Sequence, residues 1–373
     1  MRTHRIIIIG AGFAGAASAY YLTLLGMHDV CVIESEQFPG MHASGRNAAM
    51  VRQVVSSSPV AEMAREGCSF IDHWSHQTDV PVFQRNGSLL LRSLISPDSL
   101  KNSIEESVRA GIKSQIIGHR DAVQRVPVLG QAAFDDAVWC PSDGVVDAAA
   151  LLSHYLSEAK KRGARIITGM PVTGIEVLSN RVTAVRVGNQ NFPCDVVVNA
   201  AGAWANEIAS LAGSAQVPMK PYRRHLFMGS MREIDPTWPF VWDLTHQIYF
   251  RPESSGLLLS PCDESPHSPG LPLTDDSACD LLTLKVSRYL PKLSELTLSK
   301  SWAGLRTITD DGNFVIGWDP KVFGFFWVGG LGGHGVTCSA SVGRLAAATL
   351  HGDLKLDHPF SPSRFITPLS IEV

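Results

Sequence analysis

Two glycine-rich stretches stand near opposite ends of the 373-residue chain, and each can turn successive backbone amides toward an anion. The first, GAGFAG, runs from Gly10 to Gly15 and fits the pattern GxGxxG. There Gly10 permits a tight turn, Gly12 lets a pyrophosphate approach the backbone, and Gly15 lets the next helix pack on the preceding strand. Phe13 and Ala14 open that helix, whose free N–H groups and dipole favour phosphate. Glu34 ends the next apolar run, near the expected spacing of about 20 residues. A carboxylate there accepts hydrogen bonds from ribose hydroxyls and repels a 2′-phosphate. These residues predict a dinucleotide and leave NAD and FAD both open. The second stretch, GGLGGHGVT from Gly329 to Thr337, raises the question of a second negative charge.

The elements that must position these loops are legible in the pattern. Ile6 to Ile9 and Val30 to Ile33 are β-branched runs flanking an apolar segment, which predicts strand, turn, helix, strand and so a parallel sheet. Leu151 to Arg162 and Ser339 to Leu350 read as helices, and Cys194 to Asn199, Asn313 to Ile316 and Phe325 to Val328 as strands. Residues 80 to 140 alternate strand-like pieces (Gly87 to Arg92) with a charged helix (Asp98 to Gly111), and 216 to 300 read as mostly antiparallel strands. Asp310-Asp311-Gly312 is a hairpin-turn signal. The expected fold is α/β, with a Rossmann-like cofactor domain from 1–80, 140–215 and 300–373. A mainly antiparallel substrate domain, from 81–139 and 216–299, is inserted in it.

Composition narrows the function. Hydrophobic residues make up 45% and the formal net charge is −3, which gives a large core and no basic field for nucleic acid. The seven cysteines form no CxxC pair, so we expect free thiols in a reducing compartment, a cytoplasmic location and no metal site. The basic start MRTHR and the uncharged run Ile6 to Met27 could be a signal or an anchor. The strand–glycine–helix–strand order explains them better, and no transmembrane segment is expected.

The stretch GMHASGRNAAMVR, Gly40 to Arg52, has no place in a simple nicotinamide enzyme, and it resembles the D-amino-acid oxidase family of flavoproteins. DVVVNAAGAWANEIASLAG (Asp195 to Gly213), SWAGLRTITDDGNFVIG (Ser301 to Gly317) and FFWVGGLGGHGVTCSASVG (Phe325 to Gly343) resemble three further family segments in the family's order. The likeness is to the branch with D-arginine dehydrogenase, glycine oxidase and sarcosine oxidase. It implies non-covalent FAD, because the stretch Arg306-Thr307-Ile308-Thr309 precedes no tethering cysteine. It implies cofactor contacts at Gly10, Gly12, Phe13, Ala14, Gly15, Glu34, Ser35, Ser44, Gly45, Arg46, Asn47, Ala48 and Ala49. It adds Val172, Ala200, Ala201, Gly202, Trp204, Arg306 and the loop residues Gly332, Gly333, His334, Gly335, Val336 and Thr337.

The activity implied is oxidation of a D-amino acid or an N-substituted amino acid, with a hydride moving from the α-carbon to flavin N5. The imine formed is hydrolysed to a 2-oxo acid and an amine. Reduction leaves negative charge at the N1–C2=O edge of the flavin, which the second glycine loop would face. Arg306 is the first choice to grip a substrate carboxylate, with Arg224 and Tyr249 assisting and Arg223 or Arg251 as alternatives to Arg224. His334 is a candidate acid–base group or a spacer. Gln84 to Ser88 lacks the acid that recognises a guanidinium in D-arginine dehydrogenase, and Met50 and Val55 replace two other family residues. That disfavours D-arginine and suggests a neutral or larger N-substituted substrate. An alternative is the flavin subunit of a heteromeric opine or hydroxyproline dehydrogenase that passes electrons to a partner.

Overall fold

The computed structural model describes residues 5–55, 57–93, 98–254, 256–352 and 358–365. A six-stranded sheet runs Val315–Trp318, Phe325–Gly329, Val196–Asn199, Ile6–Ile9, Val30–Ile33 and Arg165–Ile167. All neighbours are parallel except Val315–Trp318 on Phe325–Gly329. The inner strands are buried at every residue, as expected of a parallel sheet covered on both faces. Ile6, Ile8, Val30, Val32, Val196 and Val198 face one core with the helices Phe13–Leu24, Ala148–Lys161 and Ser339–His351. Ile7, Ile9, Cys31, Ile33 and Val197 face the other, covered by the helix Ala205–Ala212 and a three-stranded antiparallel sheet, Val172–Leu178, Arg181–Val187 and Gln190–Pro193.

The second body is a nine-stranded sheet drawn from residues 88–140 and 219–309. Its one parallel pairing joins Phe240–Asp243 to Ser88–Arg92; the others are antiparallel. The helix expected from Asp98 ends at Arg109, and the strand expected from Cys194 starts at Val196.

The turn at Asp310-Asp311-Gly312 forms, with Gly312 at φ +72°, but it does not make a hairpin. The strand before it, Thr297–Thr309, pairs with Met219–Ser230, and the strand after it, Val315–Trp318, pairs with Phe325–Gly329. Asp311 is held by two jobs: its carboxylate accepts from Thr309 Oγ1 and Asn313 N, and it pairs with Arg364 at 2.7 Å. The local turn signal survives, while the strands on either side are captured by longer, better-buried neighbours.

Candidate active site

A cavity of about 580 Å³ lies between the two large sheets and collects residues from both glycine loops. At one end the strand Ile6–Ile9 delivers Gly10, whose φ of +103° favours glycine and where a Cβ would sit 2.6 Å from the Ala200 carbonyl oxygen. The Gly12 and Ala14 N–H groups have no acceptor among the described residues, and Phe13 N donates to Ser44 Oγ at 3.0 Å. The Glu34 carboxylate accepts from Ala11 N at 2.7 Å, from Glu36 N and from Ser35 Oγ. It is thereby fixed at the strand end, beside the first loop.

The segment Gly40 to Ala49 crosses the cavity and is folded by its own side chains. Asn47 Nδ2 donates to the Ser44 carbonyl at 2.6 Å, and Asn47 Oδ1 accepts from Ala49 N at 2.7 Å, which holds Ala49 at φ +54°. Arg46 Nε donates to the Met41 carbonyl. Arg251 reaches across from the large sheet and donates to the Ala48 carbonyl at 2.6 Å. Gly304 lets this segment lie close, since a Cβ there would stand 2.7 Å from the Arg46 carbonyl oxygen.

Strand alternation places Arg224, Leu226, Trp242, Tyr249 and Arg306 on the cavity face of the large sheet. The opposite face carries Phe227, Val241, Phe250 and Leu259 into a separate core. Gly304 stands opposite Arg224, so the guanidinium has room, and Trp242 stands opposite Tyr249 with ring centroids 4.8 Å apart. Arg224 is 6% exposed and Tyr249 0%. Nevertheless, among the described residues Arg224 Nε and Nη1, the Tyr249 hydroxyl and Trp242 Nε1 have no hydrogen-bond partner. Buried polar groups left open this way mark a site that expects a polar ligand.

The second loop closes the cavity from the other side. Gly332 N donates to the Thr307 carbonyl and His334 N to the Leu331 carbonyl. The N–H groups of Gly333, Gly335, Val336 and Thr337 donate to nothing among the described residues. They precede the helix Ser339–His351, which has no side-chain cap. The Arg306 guanidinium lies against the loop, 3.2 Å from where a Gly333 Cβ would be. Among the described residues Arg306 has no acid within ion-pair distance, and its pKa is lowered by burial and by Arg224.

Of the expected site residues, Gly15 and Gly45 do not line the cavity. A Cβ on Gly15 would overlap the Gly10 carbonyl and one on Gly45 the Gly40 carbonyl, so both serve close packing of the backbone. The remaining expected residues all line it. Arg223 points away and pairs with Asp275 at 2.8 Å, and Arg251 is spent on Ala48 and Glu253, which leaves Arg224 as the arginine facing the cavity. His334 is a weak base that stays neutral at ordinary pH: burial, then Arg52 and Arg306, lower its pKa to about 3. Gln84 to Ser88 do not line the cavity; Met50 does, and Val55 does not.

Two residues went unassigned in the sequence. Arg52 lines the cavity, lies 4.1 Å over the Trp242 ring, and places Nη2 3.4 Å from His334 Nε2. Trp242 completes the aromatic wall with Tyr249. No cysteine lines the cavity. Among the described residues no helix is long and apolar enough to cross a membrane, and no cluster of His, Cys, Asp and Glu could hold a metal ion.

The profile of the DAO family, described as FAD dependent oxidoreductase, matches residues 5–349. The chain belongs to this family. FAD is its cofactor, and the open amides at both ends of the cavity fit an anionic dinucleotide. Human mitochondrial sarcosine dehydrogenase is 23% identical over 97% of this chain and 41% of its own length. The chain spans about two fifths of the length of its leading curated relatives. The hydrogen cyanide synthase subunit HcnC of Pseudomonas aeruginosa is 25% identical over 98% of this chain and 97% of its own. L-proline dehydrogenase from P. horikoshii superposes with a TM-score of 0.87 at 24% identity, covering 97% of this chain and 98% of that one. The chain therefore shares the family's fold, with the family match running over residues 5–349.

Proposed function

We propose that this flavoprotein oxidises the C–N bond of a small amino acid, either a D-amino acid or an N-substituted one, to an imine that water converts to a 2-oxo acid and an amine. The observation that carries the reading is the cluster of donors on the cavity face without a partner among the described residues: Arg306, two nitrogens of Arg224, and the Tyr249 hydroxyl. Arg306 grips the substrate carboxylate through its planar fork, and Tyr249 and Arg224 complete the grip. FAD, held without a covalent link, supplies the acceptor for the hydride that leaves the α-carbon.

The chain's part is orientation and charge. Glu34 takes the ribose, and the first loop takes the pyrophosphate. The open amides from Gly333 to Thr337 face the edge where negative charge develops, which favours reduction. His334 stays neutral and is not a general acid at ordinary pH. The substrate amine must shed its proton before the hydride leaves, so flavin reduction speeds up as pH rises. The nine-stranded sheet serves as the substrate domain in this reading. Sarcosine dehydrogenase and L-proline dehydrogenase, as named, act on secondary amines, which supports including N-substituted substrates. The test is an anaerobic panel of D-amino acids, N-methyl amino acids and opines, with product assays for 2-oxo acid and amine. Formation of both in step with flavin reduction supports the reading; reduction by none of the panel refutes it.

A further inference from the structure

The cavity holds more positive charge than one carboxylate needs. Four arginines line it: Arg46, which is spent on the Met41 and Ala303 carbonyls, and Arg52, Arg224 and Arg306. The only ion pair any of them makes among the described residues is the loose one from Arg224 Nη2 to Glu264 at 3.8 Å. Asp143 lies buried behind Arg52, but its carboxylate already accepts from Gln53 N, Gln53 Nε2 and Ser88 Oγ, and it makes no ion pair with Arg52. Arg224 is buried and Arg52 and Arg306 are half-buried, and sheltered arginines are ordinarily paired, so a set without a close carboxylate among the described residues marks a place where the ligand supplies the anions.

Arg52 is also set apart from the other two. Arg224 and Arg306 share the cavity face of two adjacent strands, beside Tyr249. Arg52 comes from the crossing segment that follows Gly40 to Ala49, and three contacts fix it. Its N–H donates to Thr337 Oγ1 at 3.2 Å, its guanidinium stacks on Trp242, and Nη2 donates to His334 Nε2. That last bond requires the His334 proton on Nδ1, so the imidazole presents an acceptor and no positive charge toward Arg52. Stacking occupies one face of the guanidinium and leaves the in-plane donors not used by His334 open. Trp242 Nε1, buried and without a partner among the described residues, adds a further donor in the same wall.

We propose that the physiological substrate carries two carboxylates, the α-carboxylate held by Arg306 with Tyr249 and Arg224, and a second one held by Arg52. The class is an acidic D-amino acid or an N-carboxyalkyl amino acid. This rests on the proposed amine oxidation and replaces the neutral side chain expected from the sequence. The arginines around the cavity would also repel a cationic side chain, in keeping with the absence of an acid in Gln84 to Ser88.

The experiment separates this inference from the reaction itself. Glutarate and butyrate, a non-oxidisable dianion and monoanion, are titrated into the FAD-loaded protein and followed by the flavin difference spectrum. One extra charge-assisted contact predicts glutarate tighter by roughly 10- to 100-fold. Arg52→Gln should cut that ratio about tenfold or more, and Arg52→Lys should restore part of it. The same ratio, read as flavin reduction rates for D-glutamate over D-glutamine, should move with it. Equal binding of glutarate and butyrate by the wild-type protein overturns the inference, whatever the variants do. Equal weakening of both by Arg52→Gln also overturns it, since Arg52 would then belong to a single clamp. If no amino acid reduces the flavin, the proposed reaction fails, yet the binding ratio still decides the second carboxylate.

Discussion

Arg306→Met separates a ligand-binding arginine from a structural one. Its guanidinium makes no ion pair among the described residues, and Arg224 and burial both lower its pKa. Removing the charge therefore strands no internal carboxylate and relieves a repulsion, while methionine keeps most of the apolar stem. Stability should change by about 1 kcal/mol or less, in either direction, which moves Tm by no more than a few degrees. Substrate binding should suffer far more. Two charge-assisted hydrogen bonds are worth about 3–6 kcal/mol together, which corresponds to roughly 10²- to 10⁴-fold in kcat/KM. The assay is anaerobic rapid mixing of the FAD-loaded variant with substrate, paired with a thermal melt. Arg306→Lys should recover part of the loss, because a point charge replaces the fork. A variant with kcat/KM within threefold of wild type refutes the carboxylate role. A Tm drop of ten degrees or more with FAD lost would make Arg306 a structural residue.

The other expectations follow from the same geometry. Gly335→Val meets nothing closer than Leu331, whose Cδ1 lies 3.7 Å from the new Cβ, so the protein should fold but hold little FAD or show a lowered flavin potential; normal flavin content and an unchanged potential would contradict the loop assignment. Glu34→Gln keeps one acceptor oxygen and loses the other, so either Ala11 N or the pair Glu36 N and Ser35 Oγ is left without its acceptor, and FAD affinity should fall about tenfold or more, measured by flavin fluorescence on dilution. Half-buried, neutral His334 has a folded pKa near 3 against an ordinary 6.5, so the unfolded chain binds the extra proton and stability falls as pH drops from about 6.5 toward 3. Asp143, raised from 3.8 to about 6 by burial, acts oppositely and loses stability as pH rises through that window. Urea melts of His334→Asn should therefore show less acid destabilisation than wild type, and an identical pH slope would refute the shift.

Local chemistry made most of the frame legible. The βαβ start, both glycine loops, Glu34 and the segment from Ser44 to Ala49 carry short-range signals, and all of them meet at one cavity. What escaped depended on register. Arg224 could be told from Arg223 only once the strand pairing put Arg224 opposite Gly304 and on the same face as Tyr249, and from Arg251, which shares that face, only by the bonds of Arg251 to Ala48 and Glu253. Trp242 reached the site because a short hairpin set it opposite Tyr249. Arg52 ended the quoted segment Gly40 to Arg52 without a role, since its partners Trp242, His334 and Thr337 lie far along the chain. The Asp310 to Gly312 turn misled because a turn motif reports the bend and not which strands flank it.

The central claim is tested most directly by the visible spectrum of the purified protein before and after anaerobic mixing with an amino acid substrate. The account predicts a yellow protein whose oxidised flavin bands bleach on mixing, faster at higher pH, with one 2-oxo acid formed per flavin reduced. A colourless protein that takes up no added FAD, or a bound flavin that no amino acid reduces, would contradict it.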